Sequence, residues 1–468
     1  MPEVLFLQFD WFEHLGILYL SAYLKEQGIK TALLITRSPK NLVKKVNQLQ
    51  PRLLAISLLS AGYKKPLEIL EKAKAQLNCP VVVGGSHPTF FPEVLSHPAL
   101  DFIIRGEGEE SLYLLVQALR EEISLKEVPG LGYKSGDELK YNPLGNLVEE
   151  LDSLPFPNRK LYFGYGYYRR LGMRRVITAR GCPYSCRYCY NARLRSFYPD
   201  QKYFRQRSAE NVIRELKEMR SYTRVVNFVD DSFGINPEFR REFLERYAQE
   251  VKLPFIVNLR PELVDKEFAG LLARAGCYCA QLGIESGDEA LRQKLLGRKT
   301  RDEQIISAAR YLKELGIKIL AYNMLALPGE SLEQGLKTIQ LNQKLGVDFP
   351  RFSIFQPYPG TELAEELVRE GKASQNQLLK ALEGSYFHSS PLESREIKNL
   401  ENLQKFSSLL IKFPGLEPAV KKLVLLRSNP VFDLVFLLSM AFQYKQATAR
   451  SLRETLELGF RNLSLYFQ

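Results

Sequence analysis

The chain has 468 residues, too many for one ordinary core, so two or three domains are expected. Hydrophobic residues make up 45% and charged residues 25%, which excludes a disordered or fibrous protein. Lys and Arg number 65 against 53 Asp and Glu, a formal charge of +12. No run of like charge is long enough to single out nucleic acid, and a solvated basic surface accounts for the excess. Six cysteines, three of them in one loop, do not make a disulfide framework. The start, M-P-E-V-L-F-L-Q-F-D, lacks the basic region of a secretory signal. No stretch has the ~20 apolar residues that cross a bilayer. A cytoplasmic protein without a nucleic-acid partner is expected.

Residues 4–9 form a short apolar run ending at Asp10, the pattern of a buried strand. Helical periodicity follows over 15–27 and stops at Gly28. Further strands are predicted over 31–35, 53–59, 81–83 and 102–105, with helices over 42–49, 67–77 and 110–119. This alternation predicts an α/β fold with a doubly wound, Rossmann-like parallel sheet. Such sheets take ligands at the carboxyl ends of their strands, here 10–16, 57–62, 84–87 and 106–108. No G-x-G-x-x-G follows the first strand, which argues against a dinucleotide and leaves another ligand or none.

Gly16 is followed by 40 residues, then Ser57-Leu58-Leu59, then 24 residues, then Gly84-Gly85. The runs G-G-S-H-P-T from Gly84 and R-G-E-G-E from Arg105 accompany them. This order and spacing resemble the cobalamin-binding Rossmann-like domain. That family's fuller pattern is Asp-x-His-x-x-Gly, then Ser-x-Leu, then Gly-Gly. The resemblance implies that Gly16, Gly84, Gly85 and Gly106 let backbone approach a large flat ligand, because no Cβ intervenes. It implies that Ser57 bonds the nucleotide tail and that His87 lines the site. The first motif departs from the pattern. Glu13 stands where the cobalt-ligating His would be and Trp11 where the Asp would be, with His14 one position off. The chain thus resembles the subset that binds cobalamin without a protein His on cobalt, and His14 is expected to pack or cap. His97 is expected to be structural.

Residues 121–160 are rich in Gly, Pro and charge and read as a hairpin and connector. The aromatic run Y-F-G-Y-G-Y-Y over 162–168 reads as inter-domain packing or a lid. The expected domains are 1–125, a linker over 126–170, a barrel over 171–371 and a helical cap over 372–468. In the third of these the strand–helix alternation restarts. Strands are predicted over 175–179, 225–229, 255–259, 278–284, 317–327 and 351–356, with helices over 209–220, 239–251, 261–275, 302–315, 332–345 and from 362. Six such units fit a partial (β/α)6 barrel, whose site lies at the carboxyl ends of its strands.

The first of these strands runs into T-A-R-G-C-P-Y-S-C-R-Y-C-Y-N, residues 178–191. Cys182, Cys186 and Cys189 have the spacing C-x3-C-x2-C. Three thiolates on one loop can hold three irons of a [4Fe-4S] cluster and leave the fourth open. A zinc knuckle or redox thiols are the alternatives. Structural zinc wants four ligands, and no His or fourth Cys lies within about twenty residues. The spacing, with Tyr188 before the last cysteine, resembles the signature of the radical S-adenosylmethionine (SAM) enzymes. That resemblance implies SAM chelated to the open iron and cleaved to a 5′-deoxyadenosyl radical. It also implies SAM-contacting segments in G-I-E-S-G, with Glu285 and Ser286, and in L-P-G-E, with Gly329 and Glu330. Asp230 and Asp231 end the second barrel strand as further SAM or substrate contacts. Arg260 ends the third, where a guanidinium fork suits the methionine carboxylate. The alternative for these residues is capping and turn chemistry. Cys277 and Cys279 read as small buried hydrophobes.

Beyond Gly371 only helices are predicted, over 375–383, 393–411, 418–425 and 429–442. The apolar stretch 434–438 lies among Lys421, Lys422, Arg427, Lys445 and Arg450, interrupted by Asp433. It reads as a helical domain packing its own core, or as a cap over a greasy substrate or against a membrane surface. His388 is an acid–base candidate. Over residues 1–370 the chain resembles cobalamin-dependent radical SAM methyltransferases, in which methylcobalamin gives a methyl group to an unactivated carbon. Relatives of this layout close or rearrange rings instead, as the anaerobic tetrapyrrole cyclase does, and no motif separates the two. The apolar C-terminal cap favours a lipid or tetrapyrrole as the small-molecule substrate, and the resemblance implies an external flavodoxin- or ferredoxin-like electron donor. A tRNA methylthiotransferase is disfavoured, since the first third has only Cys79 and the end reads helical. A non-catalytic cobalamin or cluster carrier would not need four SAM-type segments.

Overall fold

A computed structural model describes residues 1–383, 387 and 389–447, so His388 and Arg450 lie outside the described residues. Among the described residues two compact units emerge: Met1–Arg170 with Asp200–Lys202, and Leu171–Pro199 with the chain from Tyr203 on.

In the first unit, β1 (Val4–Gln8), β2 (Thr31–Ile35), β3 (Leu53–Ser57), β4 (Val81–Gly84) and β5 (Phe102–Ile104) are parallel. β6 (Leu131–Ser135) and β7 (Glu138–Tyr141) add antiparallel at one edge, in the order β2-β1-β3-β4-β5-β6-β7. The hairpin expected as a connector therefore extends the sheet, because Leu131 and Tyr133 bury themselves beside β5. All five residues of β1 are buried, as in a strand covered on both faces. One face packs Ile17 and Leu24 of helix Leu15–Glu26 with Leu112 and Leu115 of helix Glu109–Ala118. The other packs Leu42, Val46, Leu67 and Leu70. β1 pairs β2 on one side and β3 on the other, so the winding direction reverses between β1 and β3. Within this unit Trp11 lies 6.1 Å from Tyr168, stacked, and 5.6 Å from Tyr165, edge-on.

In the second unit six parallel strands follow chain order: β8 (Met173–Val176), β11 (Val225–Phe228), β12 (Phe255–Leu259), β13 (Cys277–Glu285), β14 (Lys318–Leu325) and β15 (Phe349–Ile354). A two-stranded ribbon, β9 (Ala179–Arg180) with β10 (Arg205–Gln206), stands beside them. Each helix returns the chain to the next strand in one direction, the winding of a partial barrel. The helix expected over 261–275 is split. Pro261–Leu263 makes a 3-10 turn, and the helix proper, Lys266–Ala275, starts at Asp265, whose side chain accepts from the Phe268 amide at 2.7 Å.

Among the described residues, the C-terminal helices pack onto the barrel. Leu400, Leu403, Phe406, Val420 and Phe432 pack into one cluster with Leu325, Leu336 and Phe352 of the barrel. Gly335 permits the approach of helix Arg395–Lys412, since a Cβ there would stand 2.4 Å from Leu400 Cδ2. Beyond that contact Leu425, Leu426, Val431, Leu434 and Leu438 are exposed. Among the described residues no helix is long and apolar enough to cross a membrane. Gly335→Val is expected to cost about 1–3 kcal/mol by overpacking. An unchanged urea midpoint would show that the two helices do not meet there.

Candidate functional site

In the first unit a cavity opens at the carboxyl ends of β1 and β3, where the winding reverses and such sheets take ligands. Gln8, Asp10, His14, Arg37, Ser57 and Lys65 are among its walls. His14 Nε2 lies 2.9 Å from both oxygens of Asp10. Burial works against the Asp10 carboxylate, but the bond and charge of His14 outweigh it and hold its pKa below the usual value. Glu13 does not reach this cavity. It is buried and paired with buried Arg159 at 3.4 Å. The residue one position on, His14, takes the place at the wall.

The glycine loops are close-packed behind that wall. Gly85 has φ +97, and a Cβ there would stand 3.0 Å from Leu58 O and 3.1 Å from Ser57 Oγ. Its glycine is thus required by the neighbouring loop. Thr89 Oγ1 donates to Gly85 O at 2.8 Å and accepts from Gly106 N at 3.0 Å, tying the ends of β4 and β5 together. A Cβ on Gly84 would make only ordinary contact with Ile104 O. Gly16 is different: a Cβ there would meet nothing within 4 Å, so that approach is open. His87 is buried behind the loops, stacked on Tyr63 at 4.0 Å, and is not among the cavity walls. Burial pushes its imidazole down to about 4.

In the second unit the cysteine loop leaves β8 and is pinned at its start. Asp230, at the end of β11, accepts at one oxygen from Thr178 N at 2.8 Å, Thr178 Oγ1 at 2.9 Å and Ala179 N at 2.7 Å. Burial pushes its carboxyl up to about 6. Asp231 is exposed. The loop is pinned again further on. Arg195 donates to Pro183 O at 2.6 Å and Ser185 Oγ at 2.5 Å, and Arg187 N donates to Leu296 O at 3.1 Å. Cys186 is buried, while Cys182 and Cys189 are partly exposed. Burial pushes the Cys189 thiol up to about 11, and the charges of Cys186, Asp231 and Cys182 add to the effect. Among the described residues no three His, Cys, Asp or Glu side chains form a ready cage for an ion. The three thiols instead share one braced loop, a donor set that fits a cluster with one open iron.

Against this loop stands a charged network that the sequence singled out only in part. Arg260 Nη1 is 3.4 Å from Cys186 Sγ, and its guanidinium lies 3.7 Å from the centre of the Tyr184 ring. Arg260 Nε donates to Glu262 Oε1 at 2.5 Å, and Thr300 Oγ1 donates to Glu262 Oε2 at 2.8 Å. Arg298 Nη1 donates to Glu285 Oε1 at 2.7 Å, and the charges of both act on the Tyr188 hydroxyl. Arg298, Glu262 and Tyr184 carry no motif that would have marked them. Glu285 and Ala326 have φ of +68 and +61, left-handed positions that cost non-glycine residues about 1–3 kcal/mol each. Both lie at the ends of barrel strands, β13 and β14.

The other expected contacts are occupied locally. Ser286 is buried and its Oγ accepts from Asp288 N at 3.2 Å, a capping bond. Gly329, φ +75, makes the turn of L-P-G-E. Glu330 is buried and folds back, its Oε2 accepting from Leu327 N at 3.0 Å, with no partner for Oε1 among the described residues. Cys277 and Cys279 are buried in the barrel.

The B12 binding domain family matches residues 9–116, and the radical SAM superfamily matches residues 176–341. The chain joins a B12-binding domain to a radical SAM domain. Its cofactors are accordingly cobalamin, a [4Fe-4S] cluster and SAM. The chain is 29% identical over 365 residues to an uncharacterised methyltransferase of Pyrococcus horikoshii, covering 76% of this chain and 78% of that one. It is 27% identical to the cytidylyl-2-hydroxyethylphosphonate methyltransferase of Streptomyces wedmorensis, covering 71% and 70%. It is 29% identical to the anaerobic magnesium-protoporphyrin IX monomethyl ester cyclase of Cereibacter sphaeroides, covering 70% of this chain and 55% of the cyclase. Among solved structures, the cobalamin-dependent radical SAM enzyme OxsB with aqua-cobalamin and SAM superposes with a TM-score of 0.70 at 19% identity, over all of this chain and 75% of that one. The methyltransferase TsrM of Kitasatospora setae, with tryptophan and a SAM analogue, gives 0.65 at 19% identity, over 79% and 76%. These likenesses establish the shared fold.

Burial pushes Glu330 from 4.5 up to about 8, so it is protonated in the folded protein at neutral pH. The folded state then holds a proton that the unfolded chain gives up, and stability falls as pH rises from about 4.5 to about 8. Glu330→Gln keeps the acceptor and removes the titration. The variant should gain in urea midpoint over the unaltered protein as pH rises through this window. A constant difference would show that Glu330 is ionised in the fold.

Proposed function

We propose that the chain is a cobalamin-dependent radical SAM C-methyltransferase acting on an unactivated carbon of a small-molecule substrate. One observation carries this reading: three cysteines on one braced loop at the strand ends of a partial barrel, in a chain that also holds a B12-binding domain. The names of the Pyrococcus and Streptomyces relatives support methyl transfer as the outcome.

Cys182, Cys186 and Cys189 hold the cluster in this reading, and Asp230 fixes the strand end from which their loop departs. Tyr188, in the field of Glu285 and Arg298, stands between the last two cysteines and the end of β13. The turn at Gly329 and the left-handed backbone at Glu285 and Ala326 present main-chain groups for SAM at two neighbouring strand ends. Ser286 and Glu330 shape those turns from within. In the first unit Ser57 and the open approach over Gly16 serve cobalamin, and His14 replaces Glu13 as the residue at the cavity wall. Bound together, these cofactors supply hydrogen-atom abstraction from an unactivated carbon and a methyl group for it. The chain's own part is to fix the loops, exclude water and orient the substrate. An external flavodoxin- or ferredoxin-like protein supplies the electron.

The exposed leucines over 425–438 lie near exposed Lys422 and Arg427. We place them against an anionic lipid surface, which suits a lipid or tetrapyrrole substrate.

Methyl-labelled SAM, incubated with anaerobically reconstituted protein and source extract, should give a labelled product. Deoxyadenosine without label in any product would favour ring closure, as in the cyclase relative. Cys182→Ala should lower SAM cleavage by at least about a hundredfold, and full cleavage by that variant would remove the cluster assignment. The protein should sediment with anionic vesicles in low salt, and the double substitution Leu425→Glu, Leu426→Glu should weaken this several-fold. No sedimentation of the unaltered protein would remove the lipid contact.

A further inference from the structure

We infer that Arg260 is a positioning residue that sets the reduction potential of the cluster through the Cys186 thiolate. The inference rests on the reading that Cys186 is a cluster ligand. Arg260 is at the end of β12, yet its guanidinium is not left open for an incoming carboxylate. One nitrogen reaches Cys186 Sγ at 3.4 Å, and the plane lies over the Tyr184 ring of the same loop at 3.7 Å. Glu262 holds the fork from behind, at 2.5 Å. Arg260 and Glu262 have side-chain exposures of 11% and 18%, so water screens their charges weakly. Arg298, with side-chain exposure of 5%, adds a second cation that acts on Cys186.

A cation donating to a ligating sulfur favours the more negative state of the cluster, and hydrogen bonds to the sulfurs are among the terms that set its potential. Reduction adds one electron, given in a titration by dithionite, and no bond forms or breaks at Arg260. The positive fork at Cys186 therefore makes the cluster easier to reduce. Glu262 works in the opposite direction, since its charge offsets part of the fork's.

The test is an anaerobic redox titration of the reconstituted full chain, followed by the electron paramagnetic resonance of the reduced cluster. Arg260→Gln should move the midpoint to more negative potential, and Glu262→Gln should move it to less negative potential. The opposed signs separate an electrostatic role from a merely structural one, which would not order them. A cluster-loaded Arg260→Gln with an unaltered midpoint overturns the inference. If that variant fails to hold a cluster, Glu262→Gln decides alone, and an unaltered or more negative midpoint there overturns it. Cys186→Ala separates the two levels of the argument. A [4Fe-4S] signal identical to the unaltered protein's in that variant removes Cys186 as a ligand, whereas an altered or lost signal there with unmoved midpoints in the other two removes only the role of Arg260.

Discussion

The second unit depends on one carboxylate oxygen. Asp230 ends β11, and its Oδ1 receives two backbone amides and one hydroxyl from Thr178 and Ala179, where the chain leaves β8. β8 is the edge strand of its sheet, with a neighbour on one side only. The strand end that launches the cysteine loop is held a second time where Arg207 N and Gln206 Nε2 donate to Thr178 O at 2.9 and 2.5 Å. Three donors on one oxygen favour the ionised form, and burial opposes it. The balance is what a structural carboxylate in a buried turn must strike.

Much of the fold was legible because both repeating patterns are long. Alternating apolar runs and amphipathic helices marked the parallel strands of both units. The split at Pro261 was less visible, since a 3-10 turn and a helix share their apolar spacing until the cap at Asp265 separates them. The C-terminal helices were legible as helices but not in their packing. What decides that packing is Gly335, a position with no Cβ on the barrel's own helix, which reads as an ordinary glycine until Leu400 is seen beside it.

The site was legible in its loops and less so in its side chains. Cys182, Cys186 and Cys189 are neighbours in the chain, so their spacing alone brings them together. Residues joined only by the fold left no such trace: Arg298 meets Glu285 across 13 residues, and Arg260 meets Cys186 across 74. The strand-end motif of the first unit shows the opposite failure. Counting back from Gly16 points to Glu13, but side chains on successive residues after a strand face different ways. Glu13 turns into the buried pair with Arg159, and His14 turns to Asp10 and the cavity. Likewise Gly84-Gly85 was legible as a close approach, but what approaches Gly85 is the protein's own Leu58 and Ser57.

The charged network behind the cysteine loop bears on why the fold keeps such groups at all. Arg260, Glu262, Arg298 and Glu285 have little exposure, and burying charge costs more than a single pair returns unless every partner is satisfied. An apolar set of similar volume would serve stability as well or better. Three features argue that stability is not what holds the network in place. It meets the loop at Tyr184, Cys186 and Tyr188, each within or beside the cysteine spacing. It spans two neighbouring strand ends, β12 and β13. At the second of these, Glu285 sits in a left-handed conformation that a glycine would adopt without strain, so the carboxylate is retained against its backbone cost. A cost borne at one end of the network and a thiol touched at the other point to the chemistry at the loop as the reason for both.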